Sequence, residues 1–208
     1  MTTIVHHLNN SRSQRILWML EEMGLPYEVR RYERDPKTMR APASLRRIHP
    51  LGKSPIVEHG GHTLVETGAI VEYLLELGEG ELAPPPNREA VLKHRMFLHY
   101  AEGSMMPPLL ALLIIGKLGI LGKPARKPVQ SMLDDHLDWL ESELDGRDYF
   151  IGDTLTAADI MMSFPLEAAR ARAGLDQSRP NLTTWLERIH ARPAYQRALA
   201  AGGEYAYA

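Results

Sequence analysis

The 208-residue chain contains no cysteine. That absence excludes disulfides, thiolate metal sites and any mechanism in which a thiol of the protein is the nucleophile. A long apolar run is also missing. The longest apolar stretch, Leu109 to Ile115, is far short of the roughly 20 residues that cross a bilayer. The first residues, Met1-Thr2-Thr3-Ile4-Val5-His6-His7, lack the basic flank and apolar core of a signal peptide, so a cytoplasmic location is expected. Nor is there an excess of one charge: 24 Lys and Arg stand against 26 Asp and Glu, a formal charge of −2. A surface built throughout for nucleic acid or anionic membrane is therefore not expected, and any basic site must be local. The nine histidines show no metal-ligand spacing. His6 and His7 point to opposite faces of a strand, and His59 and His62 flank a turn, so no metal is expected. With 44% hydrophobic and 24% charged residues, what remains is the ordinary balance of a folded chain.

Two patterns follow one another along the sequence. Thr3 to Leu8 reads as a strand, and Asn9-Asn10-Ser11-Arg12-Ser13 as a polar turn rich in helix caps. Ile16, Leu17, Leu20 and Met23 then recur at helical spacing until Gly24 and Pro26 end the run, and Tyr27 to Tyr32 reads as a second strand. After a basic, poorly periodic segment, Pro55 to Val65 reads as a hairpin turning at Gly60-Gly61, followed by an amphipathic helix from Glu66 to Leu77. Gly78 to Asn87, with Pro84-Pro85-Pro86, is a linker. Beyond it only helical periodicity remains. Leu133, Leu137, Leu140 and Leu144 form one stripe, and Leu182, Trp185, Leu186 and Ile189 another. Thr156-Ala157-Ala158-Asp159 is a capping box with Leu155 and Ile160 as its hydrophobic staple. Pro107-Pro108 is expected to kink or interrupt the helix beginning near Arg88. A mixed α/β domain (residues 1–78) thus precedes a linker (79–87) and an all-helical domain (88–208).

This order, with the loop Pro50-Leu51-Gly52-Lys53-Ser54-Pro55-Ile56-Val57 and the run Glu66-Thr67-Gly68-Ala69-Ile70, resembles the cytosolic glutathione transferase superfamily over nearly the whole chain. The variant it is most similar to is the serine- or asparagine-type, bacterial-like one. The resemblance implies a thioredoxin-like first domain that binds glutathione as co-substrate, and a helical second domain. It implies a cis-proline at Pro55, with the backbone of Ser54 pairing with the cysteinyl amide like an added strand. Lys53 is placed for the glycine carboxylate, and Glu66 for the γ-glutamyl amine. The Thr67 hydroxyl and the free N–H groups of the following helix are placed for the γ-glutamyl carboxylate. Threonine stands where the family pattern has serine, and it keeps the hydroxyl.

At the first strand-to-helix turn the family places a tyrosine, serine or cysteine against the glutathione sulfur. Cysteine is absent and Tyr27 lies beyond the first helix, which leaves Ser11, four residues before Arg15 as in the serine-type pattern. Asn10 or a backbone N–H is the alternative donor, and Ser13 is placed to share the capping role. Between Glu28 and Lys53, eight basic residues against three acidic ones give a local charge of +5, suited to steering an anionic tripeptide or merely solvated. Tyr100, Met105, Met106 and Leu109 are candidates for the wall of an electrophile site, and methionine suits varied ligand shapes. The expected function is conjugation of glutathione to small, apolar electrophiles by a homodimer, with Arg95, Glu102 and Ser104 near the dimer contact. A glutathione-dependent disulfide reductase or peroxidase, or a non-catalytic glutathione-binding regulator, needs the same peptide grip.

Overall fold

A computed structural model describes all residues from Met1 to Ala208. They form two compact units, one comprising residues 1–83, 190–206 and 208 and the other residues 84–189 and 207.

The first unit is built on a four-stranded sheet. Its strands are β1 (Thr3–Leu8), β2 (Tyr27–Tyr32), β3 (Ile56–His59) and β4 (His62–Val65), in the order β2-β1-β3-β4. β1 and β2 run parallel because helix α1 (Ser13–Glu22) crosses between them. β3 runs antiparallel to β1, and β3 and β4 pair as a hairpin with His59 opposite His62. Gly60 and Gly61 both have positive φ, 58° and 83°, as a two-residue turn of the expected kind requires. The bounds of both opening strands coincide with the sequence expectation. The basic segment departs from it, since a short helix α2 (Ala43–Ile48) lies there, anchored by the buried Leu45. Helix α3 (Thr67–Leu77) then lays Ile70, Val71 and Leu74 into the core beside Ile16, Leu17 and Leu20 of α1, all fully buried.

One further element completes this unit. Helix α9 (Pro193–Gly202), which the sequence pattern groups with residues 88–208, packs along α1 instead. Trp18 meets Tyr195 edge to face at 5.4 Å between ring centroids, and Arg192 and Arg197 pair with Glu22 and Glu21. The Arg31 guanidinium donates to the carbonyls of Ala200 and Ala201, closing the helix where its own N–H groups run out.

The second unit is helical. Helix α4 (Arg88–Tyr100) passes through a π-helical turn, Ala101–Met105, into α5 (Met106–Lys117). The expected interruption at Pro107-Pro108 is therefore a wide turn and not a break. A proline cannot donate to the carbonyl four residues back and its ring crowds that carbonyl, and one extra residue in the preceding turn relieves both. The resulting 30-residue helix contains an 18-residue window of mean hydropathy 1.3, long and apolar enough by composition to cross a membrane. Of that window 44% is buried, with α5 against α6 (Lys123–Glu143) and α7 (Ala157–Arg172). The stripe Leu133, Leu137, Leu140 and Leu144 of α6 is buried, as are Leu182, Trp185, Leu186 and Ile189 of α8 (Pro180–His190). Asp159 is fully buried at the start of α7. Its carboxylate accepts the Thr156 N–H and hydroxyl, the Phe150 N–H and the Trp185 indole N–H, all within 3.1 Å. The capping box expected from the sequence thus also ties two other segments to the helix start.

Candidate functional site

Strand register brings the sequence-predicted groups of the first unit together. Ile56 pairs with His6 of β1 on one side and with Val65 of β4 on the other. Pro55, just before that row, and Glu66, just after it, therefore sit together at one end of the strands, beside the end of β1 and the start of α3. The Ser54–Pro55 bond is cis, as expected, and Pro55 is buried. Ser54 is locked against β1: its hydroxyl donates to the His6 carbonyl at 3.0 Å and accepts the Leu8 N–H at 3.2 Å. Lys53 and Glu66 are exposed, while Thr67 lies buried in the first turn of α3. Glu66 has φ 69°, a conformation that non-glycine residues adopt reluctantly, and its carbonyl accepts the Ile70 N–H at 3.0 Å. Gly52 is positioned by necessity, since its φ is 56° and a Cβ there would lie 2.5 Å from the Arg46 side chain.

The turn between β1 and α1 carries a chain of hydroxyls. The Ser11 Oγ lies 3.4 Å from the Ser54 Oγ and 2.8 Å from the Ser13 Oγ, and it accepts the Ser13 N–H at 3.3 Å. The Ser13 Oγ in turn lies 2.9 Å from the His7 Nδ1. Burial and the neighbouring Arg31 guanidinium press the His7 imidazole down to a pKa of about 4, so it is neutral at physiological pH. Beyond placing the two histidines on opposite faces of a strand, the sequence reading uses His7 only to mark the turn beside the expected electrophile site and gives its side chain no role. The alternation holds: His6 turns to Tyr32 and Glu58 at 2.8 and 3.0 Å, and His7 turns to α1. The missed signal is that a residue on the face covered by α1, one step before the turn, reaches the first residues of that helix.

Asn10 is tied down differently. It has φ 51°, and its side-chain carbonyl accepts the Ala206 N–H at 2.7 Å. Asn9 accepts the Arg34 N–H at 3.0 Å. Of the basic residues between Glu28 and Lys53, Arg31 serves the end of α9, Arg34 the carbonyls of Asn9, Asn10 and Met39, and Arg30 the carboxylates of Glu28 and Glu58.

Family models bear directly on this arrangement. The chain matches the glutathione S-transferase N-terminal domain over residues 1–76 and the glutathione S-transferase C-terminal domain over residues 123–188. It is 35% identical to glutathione S-transferase 3 of Schizosaccharomyces pombe, covering 92% of this chain and 84% of that one. The chain belongs to the glutathione S-transferase family. Glutathione S-transferase 1 of Saccharomyces cerevisiae is 31% identical, with 97% of each chain covered. Among solved structures, a glutathione S-transferase from Actinobacillus pleuropneumoniae superposes with a TM-score of 0.88 at 32% identity, over 99% of this chain and 94% of that one. The protein is a glutathione transferase with a thioredoxin-like first domain and a helical second one, and glutathione is its co-substrate.

The electrophile candidates of the transferase lie in the helical unit. Met105 and Leu109 are fully buried, Met106 nearly so, and Tyr100 half-buried. The Tyr100 hydroxyl meets the His136 Nδ1 at 2.6 Å, and burial raises its pKa. No group of three or more histidine, aspartate and glutamate side chains is placed to hold a metal ion.

Proposed function

We propose that the enzyme adds the glutathione sulfur to small, apolar electrophiles, with the Ser11 hydroxyl holding the thiolate. The observation that carries this reading is the hydroxyl chain from Ser54 through Ser11 and Ser13 to His7, at the start of α1. A thiol of pKa about 8.5 is only a few per cent ionised at neutral pH, whereas the thiolate is the nucleophile. Lowering that pKa by about two units takes about 2.7 kcal/mol of preference for the anion. A hydroxyl donor beside the N-terminal end of α1 supplies interactions of that size.

The direction of the chain matters. The Ser13 N–H donates to the Ser11 Oγ, and the Ser11 hydroxyl donates to the Ser54 Oγ at 3.4 Å, a long contact that it exchanges for the sulfur when glutathione binds. With neutral His7 protonated on Nδ1, the order runs from His7 N–H to Ser13 Oγ, from Ser13 O–H to Ser11 Oγ, and from Ser11 O–H to sulfur. Every hydroxyl then donates once and accepts at least once. Asn10 is the weaker choice, because its side-chain oxygen is tied to Ala206 and it stands outside the chain of hydroxyls.

In the same reading the Ser54 backbone pairs with the cysteinyl amide, and Lys53 meets the glycine carboxylate. Glu66 holds the γ-glutamyl amine, and Thr67 with the first turn of α3 holds its carboxylate. Of Tyr100, Met105, Met106 and Leu109, Tyr100 alone keeps appreciable exposed surface and is the one of the four suited to face an electrophile, the other three being packed in the helical core. The enzyme acts as a homodimer in the cytoplasm, in detoxification. The exposed Leu92 and Met96, flanking Arg95 on α4, support a partner contact there, with Glu102 and Ser104 further along the same helix. The test is a side-by-side assay of aryl-halide conjugation and reduction of hydroxyethyl disulfide with glutathione. Thioether formation from the halide is expected, and turnover of the disulfide alone would overturn the reading.

A further inference from the structure

The turn joining α5 to α6 is the Gly119–Gly122 segment of the helical unit, and it presents apolar side chains to solvent. Ile120 is 80% exposed and Leu121 85%, larger fractions than for any other big hydrophobic residue except Met1. Gly119, at φ 58°, turns the chain so that the two side chains stand at its tip. Leu110 and Ile114 on α5 and Leu118 just past its end, each about half exposed and spaced four residues apart, continue the apolar stripe toward that tip. Cations surround it. From Gly103 to Leu133 there is no acidic residue, while Lys117, Lys123, Arg126 and Lys127 are all exposed and none takes part in an ion pair. Lys123, Arg126 and Lys127 line an open cavity of about 520 Å³. Its single carboxylate, Asp134, is already engaged by Gln130 and Arg179.

We propose that this tip docks the enzyme on an anionic phospholipid surface, with Ile120 and Leu121 entering the acyl boundary and the four cations on the headgroups. Charge decides between occupants. A second copy meeting this patch symmetrically would set four cations against four cations. An anionic leaflet presents the opposite charge to the basic ring and an apolar layer to the tip. The formal charge of −2 opposes binding by the surface as a whole, but lipid attraction is felt within a Debye length, so the local cluster governs.

Sedimentation of the full chain with phosphatidylcholine vesicles, with and without phosphatidylserine, tests this. Partition onto the anionic vesicles is expected to be higher by roughly 100-fold at low salt, and to fall as salt rises. A double variant, Ile120→Asp with Leu121→Asp, should lower it at least about tenfold. A triple variant, Lys123→Gln, Arg126→Gln and Lys127→Gln, should abolish the preference for phosphatidylserine. Both variants should conjugate soluble electrophiles at the parent rate, which also reports that they fold. Equal sedimentation with both vesicle types overturns the proposal, as does displacement by inorganic phosphate at constant ionic strength. So does an oligomer of the parent, seen by light scattering, that dissociates in the double variant while vesicles bind neither protein.

Discussion

Ser13 and His7 make an assignment that can be tested one side chain at a time. If neutral His7 fixes the direction of the hydroxyl chain, His7→Leu and Ser13→Ala should each raise the pKa of bound glutathione by about one unit, or about 1.4 kcal/mol. His7→Asn, which keeps an N–H donor near the Nδ1 position, should restore most of the difference. The measurement is the pH profile of kcat/KM for conjugation, whose acid limb should move to higher pH in the first two variants and stay in the third. A merely structural histidine would lower activity without moving the limb. At this scale the sequence was partly legible. The strand-to-helix turn, the proline-opened strand and the helix start announce themselves in local sequence, whereas the roles of Ser11, Ser54, Glu66 and Thr67 came only from the resemblance of those segments to the family's motifs. His7 could not be named, because its role depends on which face of β1 is covered by α1, and two adjacent histidines look alike until that face is known. Asn10 was visible as a candidate donor, but not its bond to Ala206, which spans most of the chain.

Among the elements, α7 depends on one residue. Asp159→Ala would leave four buried donors without an acceptor, at a cost of about 3–5 kcal/mol. Thermal melts should show a midpoint lowered by roughly 10 °C. Asp159→Asn, which keeps one acceptor oxygen, should lose less. A second test lies between α5 and α6. A Cβ on Gly122 would collide with the Ile115 backbone carbonyl, which has no flexible end to move aside. Gly122→Ala should therefore cost about 1–3 kcal/mol, read as a lower midpoint in denaturant at an unchanged slope. The capping box was legible because all its residues lie within five positions of one another. The Gly60-Gly61 turn was legible for the same reason. Two elements were not. Helix α2 is only six residues long and buries a single leucine, too few for periodicity to emerge. The Pro107-Pro108 pair reads in sequence as a kink or an interruption, and only the structure shows that a widened turn before it lets the helix continue.

For the whole molecule, the two units differ in how much of their make-up a linear reading reveals. Periodicity identifies segments adjacent in sequence, but α9 returns to α1 through Trp18, Glu21 and Glu22, and nothing in its own pattern distinguishes it from the preceding helices. Stability against acid is a property of the whole chain. Burial, with Arg31 nearby for His7, lowers both His7 and His94 from the ordinary 6.5 to about 4. Between these values the unfolded chain binds more protons than the folded one, so their contribution is present above pH 6.5 and is lost as pH falls through about 4. The loss should reach a few kcal/mol, and His94→Leu should flatten the dependence of melting temperature on pH across that window. The central claim, a sulfur anion held by the Ser11 hydroxyl, is tested most directly by titrating the ultraviolet thiolate absorbance of enzyme-bound glutathione in the parent and in Ser11→Ala. A pKa well below that of free glutathione in the parent, raised by about one to two units in the variant with tripeptide affinity nearly unchanged, is the predicted result. Identical titration curves for the two proteins would contradict it.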